Sequence, residues 1–401
     1  MSQSDRLTVL CLASVEKGHE FIQECSRQGC RVLLLTLERI KDRAWPRDSI
    51  DEMFLMPNFD DLQGLIHTVS YLARSHQIDR IVPMDDYDVD RAAALREHLR
   101  CPGMGDSTVR YFRDKLAMRV QARDEGLGVP EFVAVLNYDR IREFMARVPP
   151  PWMLKPRMEA AALGIKKIDD AQELWRVLDG LGDRQSYFLL EEYVPGGVYH
   201  VDAISFKKEV LFAEPHRYGA PPFDVVQKGG LFNSRTLRRD SEEARELFEL
   251  HAGVMRALRF VHGVTHSEFI KSEKNGKFYF LETAARVAGA FLANLVEAST
   301  GVNLWREWAK VEIAGNSGEY SLPPRRHDFG ALIISLARQE WPDTSAYADP
   351  EIVQRIRKEH HAGLVLASPS KERIDHLLGE YGRRFAEEFL MTLPPRQTRM
   401  T

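Results

Sequence analysis

Residues 266–286 read HSEFIKSEKNGKFYFLETAAR, two strand-like runs on either side of Lys274-Asn275-Gly276. Asn-Gly between two such runs is a strong hairpin signal. With a three-residue turn and Gly276 in the left-handed region, Glu268 and Glu282 fall directly opposite each other. Their side chains then share a sheet face, with Cβ atoms within about 5.5 Å. A two-residue Asn-Gly turn would slip the register by one and put them on opposite faces. Two carboxylates facing each other on apolar strands repel unless one is protonated or a cation bridges them. Carboxylate oxygens completed by phosphates and water suit Mg²⁺. Arg286 follows Glu282 by four residues and brings a guanidinium close to the pair. The expectation is that Glu268 and Glu282 hold a metal.

Nothing in the composition points to a polyanionic partner. The 401 residues are 44% hydrophobic and 28% charged, with a formal net charge of −4, so nucleic-acid binding is disfavoured. A chain of this length implies two or more domains. Cys11, Cys25, Cys30 and Cys101 have no metal-ligand spacing and read as reduced thiols of a cytoplasmic protein. The first apolar run, LTVLCLASV, is too short and poorly flanked for a signal peptide. No later run reaches membrane-spanning length.

The first hundred residues alternate strand and helix: RLTVLCLA, GHEFIQECSRQG, CRVLLLTL, DDLQGLIHTVSYLARSHQ, IDRIVPM and DVDRAAALREHL. Such a βαβαβα series implies a parallel sheet with helices on its faces. Neither G-x-G-x-x-G nor G-x-x-x-x-G-K-[ST] occurs in the sequence, which disfavours a dinucleotide fold or a P-loop. A helix is expected over STVRYFRDKLAMRVQARDEG, and another beginning with Asp240 as N-cap and Glu243 in the capping-box position. The stretch 214–239, rich in Gly, Pro and Arg, reads as a long loop. Near the C-terminus, Ile374, Leu377, Leu378, Tyr381, Phe385 and Phe389 form one apolar helical stripe, a packing element that also leaves room for a homodimer.

The ordered set Lys115, Lys155, LLEEYV and HSEF…FLETAAR resembles the ATP-grasp superfamily, which includes D-alanine ligase, biotin carboxylase and the dipeptide-forming L-amino-acid ligases. The resemblance is to its carboxylate–amine ligase branch. It implies an α/β and α+β multidomain protein, with a parallel α/β domain over 1–105 ahead of the ATP-grasp fold. A small lid subdomain would span 106–200, a large subdomain with the metal site 201–315, and a C-terminal α/β extension 316–401. Residue by residue, Lys115 matches the lysine that reaches the nucleotide phosphates, and Lys155 the one that touches phosphate and adenine. Glu191 matches the hinge residue near the adenine amine, with the backbone of Glu192, Tyr193 and Val194 pairing with the base. Glu268 and Glu282 match the metal ligands, and Arg286 the arginine facing the transferred phosphate.

There are departures. Ala284 stands where the family usually has Asn, removing one neutral oxygen ligand. Val198 stands where a glutamate commonly holds the ribose, with Tyr199 or His200 as substitutes. The phosphate-covering loop is RMEAAALG rather than glycine-rich.

The resemblance implies a ligase that uses ATP and Mg²⁺ (or Mn²⁺) to make an acyl phosphate from a small-molecule carboxylate, which an amine then attacks. His266 is a candidate for orienting the amine, and Arg217, Lys228 and Arg235 for the substrate carboxylate. His360-His361 lacks ligand spacing. Two other readings stay open: a nucleotide-binding sensor or scaffold without turnover, and a biotin-carboxylase-like carboxylating enzyme.

Overall fold

The computed structural model describes residues 6–392, and three sheets organise them. The first is parallel, with β1 (Thr8–Ala13), β2 (Arg31–Leu37), β3 (Glu52–Met56) and β4 (Arg80–Pro83) in the order β3-β2-β1-β4. Every residue of β1 is buried, as unbroken apolar runs are when helices cover both faces of a parallel sheet. The expected series lacked β3. That edge strand is only partly buried, so EMFLM carries little apolar pattern.

The second sheet is small and antiparallel. It is built from β5 (Phe132–Ala134), β6 (Trp152–Pro156), β7 (Lys166–Ile168) and β8 (Phe188–Glu192) in the order β5-β8-β6-β7. The third has eight antiparallel strands: β9 (Gly196–Phe206), β10 (Glu209–Tyr218), β11 (Phe232–Thr236), β12 (Gly263–Ser272), β13 (Phe278–Ala284), β14 (Phe329–Leu336), β15 (Ile352–Lys358) and β16 (His361–Ser368). Their order is β13-β12-β9-β10-β11-β14-β16-β15, so strands from either side of residue 315 share one sheet.

Three local expectations are corrected. The long helix breaks at Arg113-Asp114: a short helix Asp106–Val109 and a 3₁₀ turn precede helix Lys115–Asp124. The break occurs because the Asp114 carboxylate caps the second helix, accepting from the Leu116 and Ala117 amides, while also pairing with Arg157. Helix Glu242–Ala257 is capped by Ser241 rather than Asp240, whose carboxylate instead meets Arg238. The stretch 214–239 holds the end of β10, helix Pro222–Lys228 and β11, not a long loop. The strand FNSRT went unread because its buried residues, Ser234 and Thr236, are polar.

The C-terminal stripe lies on helix Lys371–Glu388 and the residue after it. All six residues are buried and cluster with side chains of β14 and β16. That apolar face is covered by the chain's own sheet. Among the described residues no helix is long and apolar enough to cross a membrane.

Candidate active site

β12 and β13 pair with Glu268 opposite Glu282, but the turn alone does not set that register. Ser272 and Lys277 close a turn one residue longer than expected, with Gly276 at φ 70°. This turn pairs Lys271 with Phe278 and Phe269 with Phe280, which by continuation would set Glu268 against Leu281. A bulge beyond Phe280 inserts one residue and brings Glu282 across from Glu268. The Leu281 carbonyl at this bulge accepts from the buried Arg119 guanidinium.

Four cations surround the hairpin's end. The Lys115 ammonium lies 2.8 Å from Glu282 Oε2 and donates to the Glu159 carbonyl at 2.5 Å. Lys155 and Arg119 each donate to one oxygen of the buried Glu191 carboxylate. Burial alone would raise the Glu282 pKa, but Lys115, with Lys155 and Arg119 behind it, pulls it down to about 2. Burial likewise works against charge on Glu191, and Arg119 and Lys155 hold its carboxyl below the usual range. Glu282 is therefore ionised at neutral pH. The Glu191 oxygens are engaged by cations, and its position opposite Phe132 and Met153 places it in the sheet. Of the hinge amides, Glu192 N–H donates to Glu131 at 2.7 Å and Tyr193 N–H to Pro151 at 3.4 Å. Val194 is buried.

Arg286, the fourth cation, reaches a different wall. Its Nε is 3.6 Å from Asp86 Oδ1, in the loop after β4, and its Nη1 donates to the Val287 carbonyl at 3.2 Å. Arg113 binds the other Asp86 oxygen at 2.7 Å and the Met158 carbonyl at 2.8 Å. Tyr87 donates to Glu159 at 2.9 Å. The loop after β4 thus touches both Arg286 and the loop that follows β6. In that second loop Ala161 and Ala162 take φ of 54° and 57°, a region in which glycine would sit without strain.

Beneath Glu268 lies a buried polar network. The register puts His200 beside Glu268 and His216, and Asp202 beside His266. Asp202 accepts from His200 Nδ1 at 2.8 Å and from His266 Nδ1 at 2.9 Å. His200 Nε2 meets Ser234 Oγ at 2.7 Å, and His216 stacks on His200 with centroids 4.7 Å apart. The Tyr218 hydroxyl donates to Glu268 Oε1 at 2.9 Å, and His266 Nε2 is 3.6 Å from the same oxygen. Burial opposes charge on His266, but Asp202 and Glu268 push its pKa up to about 9. Burial holds the His200 and His216 imidazoles neutral, below the usual range. In Asp202→Asn the His266 imidazolium loses its nearer counter-ion and keeps only Glu268 at 3.6 Å. The expected cost is about 3 kcal/mol of folding stability, read as a lower denaturant midpoint at pH 7. A midpoint within experimental error of the parent would remove this network from the stability of the sheet.

The sequence candidates thus fall into two groups. Lys115, Lys155, Glu191, Glu268, Glu282 and His266 lie along one run of contacts and paired strands, whereas Arg286 contacts Asp86 in the loop after β4. Arg217, Arg235 and Lys228 are engaged elsewhere. Arg217 lies over the Tyr199 ring, Arg235 pairs with Asp375 and Lys228 with Asp224. His200 is fully buried with both ring nitrogens bonded. Sequence reasoning missed Arg119, Asp86, Arg113, Asp202 and Tyr218. The signal for Asp202 and Tyr218 was period-two spacing, since YHVD and HRY each put two polar side chains on one strand face. No comparable signal marked Arg119 or Asp86.

Behind the N-terminal parallel sheet, the small antiparallel sheet and the large sheet with its glutamate hairpin have the layout of the ATP-grasp fold. The chain superposes on the crystal structure of an L-amino acid ligase from Bacillus licheniformis with a TM-score of 0.75 and 18% identity, covering 97% of this chain and 99% of that one. It superposes on N5-carboxyaminoimidazole synthetase from Staphylococcus aureus complexed with ADP with a TM-score of 0.71 and 13% identity, covering 95% and 98%. In sequence it is 23% identical over 320 residues to an L-arginine-specific L-amino acid ligase of Bacillus subtilis, spanning 76% of each chain. It is 25% identical over 292 residues to a formate-dependent phosphoribosylglycinamide formyltransferase of Bacteroides thetaiotaomicron, over 69% of this chain and 70% of that one. No family model matches. The chain resembles the carboxylate–amine ligase branch of the ATP-grasp superfamily.

Proposed function

We propose that this chain is a cytoplasmic ATP-dependent ligase that joins a small-molecule carboxylate to an amine. The observation that carries the reading is the opposed pair Glu268 and Glu282, with Lys115 on Glu282 and Lys155 one carboxylate away. Both carboxylates have an oxygen to give to Mg²⁺, and the ion would neutralise phosphate oxygens during transfer. Lys115 and Lys155 are assigned to the phosphates, and the strand-end backbone from Glu192 through Val194 to the base. Arg286 is assigned to the reacting carboxylate and phosphoryl group. The domain boundaries near 105, 200 and 315 belong to the same reading, the last of them crossing a sheet that continues through β14, β16 and β15.

The chemistry is two displacements. A substrate carboxylate oxygen attacks the γ-phosphorus and ADP leaves. The amine then attacks the acyl carbon, phosphate leaves, and the nitrogen loses a proton. Positioning and charge neutralisation suffice for the first step, and these residues provide them. The L-amino acid ligases among the relatives favour amino acids as substrates. An ADP-release assay with Mg²⁺ and pooled amino acids tests the reading. Release that needs both a carboxylate and an amine is expected. Nucleotide binding with no release over the whole pool would favour a binding protein without turnover, and bicarbonate-stimulated, amine-independent release would favour a carboxylating enzyme.

A further inference from the structure

The hairpin's carboxylates differ in which oxygens remain to give. On Glu268, Oε1 accepts the Tyr218 hydroxyl at 2.9 Å and has His266 Nε2 at 3.6 Å. On Glu282, Oε2 is 2.8 Å from the Lys115 ammonium. That leaves Oε2 of Glu268 and Oε1 of Glu282, one oxygen from each. Ala284, next on the same face of β13 after Glu282, adds none, because a methyl group has no donor atom.

Mg²⁺ takes six ligands in near-octahedral geometry, commonly one or two carboxylates with phosphate oxygens and water. Two carboxylate oxygens satisfy one such ion. With both oxygens given to that ion, a second would have no carboxylate oxygen of its own without evicting Lys115 or Tyr218. Lys115 is not loosely held: its side chain is 9% exposed, and its ammonium also donates to the Glu159 carbonyl at 2.5 Å. Tyr218 is buried as well.

We propose, resting on the nucleotide reading above, that the site takes a single divalent cation and that the Lys115 ammonium supplies the charge neutralisation a second would give. The ammonium brings one positive charge against two, so the site compensates with Lys155 and Arg119, both directed at the neighbouring Glu191. The Tyr218 hydroxyl holds the other oxygen of Glu268 at 2.9 Å.

The test counts ions rather than turnover. The full chain, saturated with a non-hydrolysable ATP analogue, is titrated with Mn²⁺, and free Mn²⁺ is followed by electron paramagnetic resonance. One Mn²⁺ per chain is expected. Two, of comparable affinity or with a spin-coupled spectrum, would overturn the inference while leaving the ligase reading intact. None, with the nucleotide analogue bound, would remove the metal assignment of Glu268 and Glu282, and this inference with it. In Lys115→Met the count is expected to rise to two, the second ion weaker. A count of one in both proteins would support the single site and take the ammonium out of its role.

Discussion

Glu282→Gln is expected to lower Mg²⁺-dependent turnover by about 10³-fold or more, with the fold retained. The size of the effect follows from what the carboxylate is doing. Its pKa is pulled down to about 2, so it is a full negative charge set among Lys115, Lys155 and Arg119. Glutamine keeps the shape and one oxygen but loses the charge that draws a divalent cation. Lys115 keeps its bond to the Glu159 carbonyl, so the helix that begins at Lys115 stays docked. Glu268→Gln should act in the same direction, because the Tyr218 hydroxyl can still donate to the amide oxygen while the cation loses an anionic ligand. The measurement is steady-state ADP release against Mg²⁺ concentration, with circular dichroism as the control for folding. Near-parent turnover in both folded variants would end the metal assignment.

The hairpin could be found from sequence because its signals are local. Asn275-Gly276 marks the turn, and aromatic residues mark β13. Its register was harder, since a four-residue turn and a bulge each shift the pairing and together return the two glutamates to opposite positions. A three-residue turn predicts the same pairing by a different route, because the actual turn is one residue longer and the bulge restores the register. Strands with buried apolar runs, β1, β2 and β16 among them, were legible because burial on both faces leaves a continuous pattern. β3 and β15 lie at sheet edges, where half-exposed residues blur it. Arg119 was invisible for another reason. On a helix it reads as a solvated surface residue, and only the bulge carbonyl of Leu281 and the carboxylate of Glu191, distant in sequence, make it a buried one. Asp86 is similar: nothing near it in sequence announces Arg286 or Arg113.

Arg286→Lys should leave ATP binding nearly unchanged yet cut trapping of the acyl phosphate by about 10²-fold or more. With the correct acid, ATP and Mg²⁺, hydroxylamine is expected to intercept the activated acid as a hydroxamate in the parent protein. The residues around the hairpin offer charge neutralisation for a phosphoryl group, while the hydroxyls next to its two glutamates, Ser267 and Thr283, are buried and bonded to each other at 2.7 Å, so the activated acid is expected to stay on the substrate. A planar guanidinium can donate to the substrate carboxylate and the departing phosphoryl oxygen together, and an ammonium cannot reproduce that fork. The position of Arg286 explains why nucleotide affinity should hardly move. Its guanidinium faces Asp86 at 3.6 Å from the loop after β13, whereas Lys115 and Lys155 lie by the carboxylates of Glu282 and Glu191. Lysine at 286 keeps the charge opposite Asp86, so the contact between the parallel sheet's loop and the large sheet survives. Two readings are needed from one preparation: the dissociation constant of a fluorescent ATP analogue and the hydroxamate yield. A yield equal to the parent's would take Arg286 out of the activation step. A large loss of nucleotide affinity would instead place this arginine on the nucleotide itself, and the loop after β4 would then be positioning ATP rather than the acid.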